Sequence, residues 1–443
     1  MITCVTIPAP PNWASQLISA SPGQWPLAWL RRGQGMIAWG QTERLDLQGP
    51  NRLSRAAGWW AKQAASAQIS VAENPNQSGQ SGALSKQPGT GLIAFGSFPF
   101  DDCSAAAAVL IVPQVVVGLR EQTAWITGIA NNVSRSSLAK NLTALLQQRP
   151  TAVVDELNNR HSPPEPAQAG SGVARQPRHL AEAWPGVVAQ AIEAIRRGEV
   201  EKVVLARDEW VSREQPWRIA DLLSNLSAAY PNCWTFCVDN LVGATPEMLV
   251  RSVHGLVTAR VLAGTFPHDA GEPDRSRLAQ ALLSSSKDLA EHQFAVRSVA
   301  QALAPFTNEL SVPDAPYVLS LANVSHLASD IAGVASQKFS VLELADAVHP
   351  TAAVCGTPPN PARQLLTRLE DFDRERYAGP VGWIDSQGDG EWAIALRCAQ
   401  LSADRLQAHL YAGGGIVAAS QCAEELAETE AKFLPMRQAL GCA

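Results

Sequence analysis

The stretches EWAIALRCAQL, residues 391–401, and RLQAHLYAGGG, residues 405–415, decide the fold class of this chain. Both predict strands, the second running to Tyr411 and closing on a glycine turn at 413–415. Other apolar patterns predict strands and helices that follow no regular strand–helix–strand order. The further strands are 36–39, 92–98, 109–117, 123–129, 200–206 and 233–238, and the helices are 56–67, 136–148, 184–197, 218–229, 278–303, 340–347 and 423–440. This mixture favours an α+β fold with antiparallel strands over a Rossmann sheet.

Composition limits the class of protein. The chain has 443 residues, of which 46% are hydrophobic, enough for a large core. With 17% charged residues and a net charge of −6, it lacks the clustered Lys and Arg of a nucleic-acid partner. The longest apolar stretch, 105–119, is too short to span a bilayer, and we see no secretory signal. Eight cysteines without a C-x-x-C pair predict free thiols and a cytoplasmic enzyme.

Two segments without apolar periodicity, 74–91 and 160–178, are expected to be exposed loops or linkers. The second separates a front part, which contains little that resembles chemistry, from a more strongly patterned back part. Candidate functional residues are therefore sought in the back part.

Carboxylates on the last predicted helix are the first candidates. Glu425 and Glu428 are three residues apart and share one helical face, which Lys432 extends. A solvated, salt-bridged surface explains this pattern, and so does a Mg²⁺ site, because Mg²⁺ takes one or two protein carboxylates together with water and substrate oxygens. The pattern by itself leaves both open.

Single residues elsewhere add further candidates. Glu247 lies between Pro246 and an apolar run, where partial burial would raise the pKa of its carboxyl group and suit it to act as a general acid. Lys202 opens a predicted strand, where a lysine usually faces solvent but can act as a base if it is buried. Glu291 and His292 lie on a charged stretch that predicts an exposed helix surface.

Taken in order, segments between residues 180 and 440 resemble the chorismate-utilising enzymes, and more narrowly the isochorismate synthases. The resemblance rests on 202–207, 243–247, 262–265, 287–288 with 291–292, 326–327, 349–354, 377–383, 395–397 and 412–417 with Ser420, Glu425, Glu428 and Lys432. It implies one large α/β domain over residues 1–443, in which two antiparallel sheets form a core sandwich with helices outside. Residues 1–175 would be the variable N-terminal part and residues 176–440 the part that bears the motifs.

The resemblance also implies roles for individual residues. Lys202 resembles the general base that activates water for attack at C2 of chorismate, and Glu247 resembles the acid that protonates the departing C4 hydroxyl group. Glu291 and Glu428, with Glu425 close by, resemble ligands of a Mg²⁺ that holds the ring carboxylate. The remaining substrate contacts implied by the resemblance are Gly264, Thr265, His326, Ala353, Arg397, Tyr411, Gly413 and Lys432.

The chain departs from the family pattern at three positions. Cys422 and Ala423 stand where Pro and Glu are usual, and Gly414 is commonly alanine. Since Glu425 and Glu428 remain, we expect little effect on the site.

Residues also separate this chain from related enzymes. Anthranilate synthases carry glutamine at the position of Lys202, and aminodeoxychorismate synthases carry a second lysine before the glycine that corresponds to Gly264. Salicylate synthases, which go on to eliminate pyruvate, differ around 349–354 and are the alternative within the family. A catalytically silent binding subunit is the alternative outside it.

The sequence and the family resemblance also give expectations about partners and pathway. Chorismate is the expected small-molecule partner, no nucleic acid or membrane partner is expected, and the resemblance suggests a monomer. Isochorismate feeds menaquinone or catechol siderophores, and the general character of the front part favours menaquinone.

Overall fold

Two β-sheets pack face to face in the computed structural model, and helices cover their outer surfaces. The structure describes residues 1–20, 27–72, 81–159, 173–177, 183–267, 280, 282–321 and 324–442. The strands are β1 Ile2–Pro8, β2 Leu27–Arg31, β3 Gln34–Trp39, β4 Glu43–Leu47, β5 Gln68–Val71, β6 Ile93–Ser97, β7 Ala108–Val112, β8 Val115–Arg120, β9 Thr123–Asn131, β10 Val173–Pro177, β11 Lys202–Arg213, β12 Trp234–Val238, β13 Leu241–Thr245, β14 Met248–Val253, β15 Leu256–Pro267, β16 Thr307–Ser311, β17 Tyr317–Ser320, β18 Val324–Ala335, β19 Gly356–Thr357, β20 Pro380–Asp385, β21 Gly390–Ile394, β22 Cys398–Leu401 and β23 Gln407–Ile416.

Eleven α-helices occur in the described part of the chain. They are α1 Pro11–Ala20, α2 Arg52–Ser66, α3 Ser81–Leu84, α4 Arg135–Gln147, α5 Pro150–Asn159, α6 Trp184–Arg196, α7 Ile219–Ala229, α8 Ser286–Leu303, α9 Val341–Val348, α10 Pro359–Leu369 and α11 Cys422–Leu440. None of the helices in these ranges is both long and apolar enough to cross a membrane.

Each sheet combines a block of strands from the front part of the chain with a block from the back part. The first sheet has the order β10-β11-β23-β22-β13-β12-β2-β3-β8-β9-β1-β5, with β19 beside β11, and the second has β16-β18-β15-β14-β21-β20-β6-β7-β4, with β17 beside β18. Among the described pairs, all are antiparallel except β1 with β5. Trp29 lies opposite Phe236, and Phe95 lies opposite Trp383. Front and back parts therefore share both sheets, and the predicted α+β class with a two-sheet core is confirmed.

The main core fills the space between the sheets. Trp29 and Phe236 of the first sheet and Phe95, Trp383 and Trp392 of the second belong to one buried cluster, and each is at most 2% exposed. Large aromatic side chains contribute strongly to the free energy of folding because each removes much apolar surface from water. A second cluster lies between the first sheet and the helices outside it, including α1, α4, α7 and α11.

The structure corrects the two stretches that predicted the fold class. Residues 391–401 do not form one strand, because Arg397 adopts φ 48° and the chain leaves the second sheet after β21 to enter the first at β22. The predicted glycine turn at 413–415 is also wrong, because β23 continues through these glycines and stays paired with β11 up to Ile416.

Other boundaries differ from the prediction. Residues 109–117 form two strands separated at Pro113, since proline cannot donate a backbone hydrogen bond to a neighbouring strand. β11 extends to Arg213 because β23 and β10 pair with it along its length. The segment 173–177, expected in a loop, is the strand β10, and 81–84 is a short helix. Residues 74–80, 160–172 and 178 of these two predicted loops lie outside the described residues.

The long helix predicted over 278–303 is interrupted at Ser285, since the described residues 280 and 282–284 are helical and a new helix follows. Ser285 caps α8 with its side chain, which accepts a hydrogen bond from the N–H of Asp288, so the helix that carries Glu291 starts at Ser286. Residues 278, 279 and 281 lie outside the described ranges.

Candidate active site

A pocket opens beside the last part of β23, where β11 still pairs with it but β22 no longer does. β22 pairs with β23 only over 408–410, whereas β11 follows it to Ile416. The cavity has a volume of about 60 Å³. The lining residues are Val204, Ala206, Pro246, Glu247, Leu262, Ala263, Glu291, His326, Ala353, Val354, Arg374, Tyr377, Ala378, Leu396, Arg397, Gly413, Gly415 and Lys432.

Glu247 and Arg397 lie at the two points where the chain crosses between the sheets beside this pocket. Glu247 connects β13 of the first sheet to β14 of the second, and Arg397 connects β21 to β22. The two crossings are joined, because the N–H of Ile394 donates to the Glu247 carbonyl at 3.1 Å and the Thr245 hydroxyl donates to the Ile394 carbonyl at 2.6 Å. The fold therefore brings an acid and a cation, 150 residues apart in sequence, to one pocket.

The Glu247 carboxyl group is protonated at neutral pH. The residue is 4% exposed, and burial raises the pKa of Glu247 to about 8, although the charge of Lys202 and a hydrogen bond from the Leu262 backbone act in the opposite direction. The expected partial burial and raised pKa are confirmed. A neutral carboxylic acid in a pocket can donate a proton, which is what a general acid requires.

Lys202 is fully buried at the start of β11, contrary to the usual exposure of a lysine there. Its Nζ lies 3.0 Å from Oε1 of Glu291, although the angles do not form a good hydrogen bond. Glu291 lines the pocket and Lys202 lies behind it. An ammonium group buried in this way depends on its carboxylate for stability.

Arg397 is a buried cation with no carboxylate within ion-pair distance among the described residues. Its Nη2 donates to Nε2 of His326 at 3.3 Å. Because a guanidinium only donates, Nε2 accepts and His326 is neutral, in agreement with a pKa that burial holds well below the usual value. Burial also lowers the pKa of Arg397, and an anionic ligand would offset this cost.

Glu425 and Glu428 of α11 lie next to Gly414 of β23, and neither of them lines the pocket. Oε1 of Glu428 lies 2.5 Å from Nζ of Lys432, which also donates to the Gly413 carbonyl at 2.7 Å. Glu425 is 1% exposed, so the helix surface is not the solvated one that the pattern allowed. The ion pair between Glu428 and Lys432 holds the lysine at the wall of the pocket.

Glycines in β23 make room for these carboxylates. A Cβ atom at Gly415 would lie 2.2 Å from Oε1 of Glu291 and 3.0 Å from Cε of Lys202. A Cβ atom at Gly414 would lie 3.2 Å from Oε2 of Glu425 and 3.8 Å from Oε1 of Glu428. The strand thus needs glycine at 415, whereas position 414 leaves more space.

The donor set around these glycines fits Mg²⁺. It consists of the carboxylate oxygens of Glu291, Glu425 and Glu428, and hard oxygen donors are those that Mg²⁺ prefers. Within the described ranges, no three His, Cys, Asp or Glu side chains are close enough together to hold a metal on their own. A Mg²⁺ that binds one or two of these carboxylates and completes its shell with substrate and water is consistent with both observations.

Four remaining candidates differ in their positions. Ala353 lines the pocket, and Gly264 lies at a bulge in β15 and bonds through its backbone to His326. The backbone of Thr265 lies opposite His326. The Tyr411 hydroxyl lies 2.7 Å from Nδ1 of His409, and Tyr411 is not part of the pocket lining.

Tyr377 lines the pocket beside Tyr411, and like the buried Arg374 it is a lining residue that the sequence did not single out. The two rings stack with centroids 5.1 Å apart. Tyr377 lies in the motif 377–383, which was the available sequence signal. The motif alone does not show which of its residues lines the pocket. His292, expected at the surface, is instead 2% exposed and hydrogen-bonded to Ser329 at 2.9 Å.

Fold and site together describe an α+β protein with a pocket lined by a buried arginine and a carboxyl group of raised pKa, and with a buried lysine beside its lining residue Glu291. Residues 25–441 match the family model described as chorismate binding enzyme. The chain therefore belongs to the chorismate-binding enzyme family.

Named relatives agree with this membership. Isochorismate synthase DhbC of Bacillus subtilis is 39% identical over 62% of this chain and 71% of that protein. The salicylate biosynthesis isochorismate synthase of Pseudomonas aeruginosa is 36% identical over 68% of this chain and 62% of that protein. The solved structure of MenF, the menaquinone-specific isochorismate synthase of Escherichia coli, has the same fold, with a TM-score of 0.74, 24% identity and coverage of 99% of this chain and 95% of the other.

Proposed function

We propose that the protein is an isochorismate synthase, an isomerase that adds water at C2 of chorismate and removes the C4 hydroxyl group. The observation that carries the proposal is a pocket lined by Glu247, whose pKa is raised by burial, and by Arg397, which has no carboxylate partner among the described residues, with the buried Lys202 beside the lining residue Glu291. The relatives named isochorismate synthases support the same assignment.

The proposed roles follow from the chemistry of the groups. Water is a poor nucleophile, and Lys202 accepts a proton from it in the neutral amine form, which arises when the ammonium group first gives up a proton. Hydroxide is a poor leaving group, and the neutral Glu247 carboxyl group supplies the proton that it needs. Arg397, with its planar fork of donors, binds a carboxylate of the chorismate dianion, and Lys432 adds a second positive charge at the pocket wall.

We further propose that Glu291 and Glu428 bind Mg²⁺, with Glu425 close by. The support is the all-oxygen donor set and the clearance at Gly414 and Gly415. Bound Mg²⁺ would neutralise the ring carboxylate of chorismate.

Replacing Glu291 or Glu428 with Gln should abolish most turnover and raise the Mg²⁺ concentration needed for half-maximal activity. Outer-shell partners alone affect metal affinity by about 10–100-fold, so losing a direct ligand should cost at least that much. Titration of Mg²⁺ in a chorismate-consumption assay measures the effect. Glu424→Gln, at an exposed position on the same helix, is the matched control and should behave as wild type. Unchanged Mg²⁺ dependence of both site variants would refute the assignment.

Gly415→Ala should lower activity by about 100-fold, because its Cβ would overlap the Glu291 carboxylate and displace Glu291 or Lys202. Gly414→Ala is the matched control, since its nearest contact is the end of a side chain at 3.2 Å, and it should keep near-wild-type activity. Steady-state kinetics on both variants, with melting temperatures to confirm folding, measure the difference. Equal activities would show that the clearance at 415 is not required.

The product distribution tests the proposed function. Chorismate and Mg²⁺ should give an equilibrium mixture of chorismate and isochorismate, with little salicylate or pyruvate and no aminated product when ammonium is added. Chromatography with a coupled pyruvate assay measures all of these. Stoichiometric pyruvate and salicylate would establish the alternative, a salicylate synthase, and an absence of chorismate consumption would establish a silent binding subunit.

For the pathway, we propose menaquinone biosynthesis, supported only by the general character of residues 1–175. Restoration of menaquinone in a strain lacking its own isochorismate synthases would test this. A cytoplasmic location is proposed because all eight cysteines are free thiols. The monomeric state stays a prediction.

A further inference from the structure

A second and larger space in the molecule, of about 620 Å³, shares no lining residue with the active-site pocket. It lies between β2, β14, β15 and β18. Its charged lining residues in the described part of the chain are Arg31, Arg32, Arg120, Arg251, Arg260, Asp330 and Glu391. Because five arginines face two carboxylates here, we call this space the arginine cleft.

Both carboxylates of the arginine cleft are already engaged. Glu391 lies 3.1 Å from Nη2 of Arg120 and 3.3 Å from Nε of Arg251, and it also accepts a hydrogen bond from the Trp29 indole at 2.8 Å. Asp330 forms a bidentate pair with Arg260, at 2.7 and 3.0 Å. These contacts leave two arginines without a negative partner.

Arg31 and Arg32 are those two arginines. Among the described residues, both donate only to neutral oxygens of Asn232: Nε of Arg31 to its carbonyl at 3.1 Å, and Nε and Nη2 of Arg32 to its side-chain amide oxygen at 3.1 and 2.9 Å. Neither has a carboxylate within ion-pair distance among the residues the structure describes. The Arg31 guanidinium lies 4.0 Å from the centre of the Trp234 ring, which fixes its position. Burial, and then the charges of Arg260 and Arg32, lower the pKa of Arg31.

We propose that the arginine cleft binds a small anion with at least two negative charges, carried by carboxylate or phosphate groups, and that this anion is an effector of the enzyme. Guanidinium groups recognise both kinds of oxyanion through paired N–H donors, and an anion would relieve the repulsion between neighbouring arginines. The volume accommodates a small metabolite, since ligand pockets commonly enclose about 300–1,000 Å³.

The effector role follows from the strands that the two sites share. Met248 lines the arginine cleft and directly follows Glu247. Arg260 lines the cleft from β15, and Leu262, two residues further, lines the active-site pocket. Glu391 belongs to β21, whose Ile394 donates a hydrogen bond to the Glu247 carbonyl. An anion that binds these arginines and shifts their strands therefore also shifts Glu247, the proposed general acid.

Calorimetric titration with inorganic phosphate and with succinate tests the proposal on the full chain without Mg²⁺. At least one probe should bind the wild type, and Arg31→Gln combined with Arg32→Gln should weaken that binding by about tenfold or more. Arg55→Gln, at an exposed arginine outside the cleft, is the matched control. Arg397→Gln, in the active-site pocket, should leave this binding intact, so the binding result does not depend on the proposed catalytic function, on which only the effector role rests. Phosphate as the tighter probe would indicate a phosphorylated effector, and succinate a carboxylate.

A second variant tests whether weaker binding by the double variant results only from a folding defect. Arg32→Glu reverses a charge at an exposed position and should also weaken binding while leaving the melting temperature unchanged. In kinetic assays, the probe that binds should change kcat/KM for chorismate in the wild type but not in the arginine variants. Absence of binding by both probes, binding that the arginine substitutions leave unchanged, or binding without a change in kcat/KM would overturn the proposal.

Discussion

Lys202→Ala is expected to lower the conversion of chorismate by about 10²–10⁴-fold, the range that a general base typically contributes. The side chain is fully buried and its Nζ is 3.0 Å from Glu291, which lines the pocket. Initial rates at saturating chorismate and Mg²⁺ measure the loss.

A matched pair of variants separates catalysis from stability. Lys202→Met keeps the apolar stem of the side chain and should be as inactive as Lys202→Ala, although it removes the charge that partners Glu291. Lys140→Met makes the same change at an exposed lysine and should retain full activity. If a folded Lys202→Met enzyme turned over chorismate at near-wild-type rates, Lys202 would not be the base.

Glu247→Gln should also lower the rate by about 10²–10⁴-fold, because the amide cannot give a proton to the departing hydroxyl group. The change keeps the size of the side chain, and the pocket should still form. Since the pKa of Glu247 is raised to about 8 by burial, wild-type activity for the forward reaction should decline as the pH rises through about 8. The residual activity of Glu247→Gln should lack this decline. A decline that persists in the variant would assign it to another group.

Stability provides an independent measurement of the same pKa. A carboxyl group whose pKa is raised from 4.5 to about 8 in the folded state contributes stability that is fully present below pH 4.5 and is lost as the pH rises through about 8. Between pH 4.5 and about 8, the free energy of unfolding of the wild type should therefore fall relative to that of Glu247→Gln. Urea denaturation at several pH values measures it, and a constant difference would contradict the raised pKa.

Local sequence was sufficient for many helices and strands. The helix predicted over 184–197 is α6, that over 218–229 is α7, and that over 340–347 is α9, which Ser340 and Glu343 cap reciprocally. These segments have an apolar face of helical period and clear end signals, so neighbours add little to their assignment. The fold class also followed from the order of such elements.

Predictions failed where a neighbouring strand, and not local sequence, decides the conformation. The glycines 413–415 suggest a turn locally, yet pairing with β11 extends β23 through them. The stretch 391–401 suggests one strand, yet the chain changes sheets at Arg397. Long-range pairing is not encoded in the period of a short segment, so local reasoning cannot detect it.

The sequence by itself determined which kinds of groups the site contains: a lysine, an acid, an arginine and the carboxylates of α11, in an order that resembles the family. Only the tertiary structure decided their chemical states. Glu247 is protonated because two crossings between the sheets bury it, and His326 is neutral because it accepts a hydrogen bond from Arg397. Charge state depends on burial and on neighbours that are distant in sequence, and both arise only when the two sheets pack.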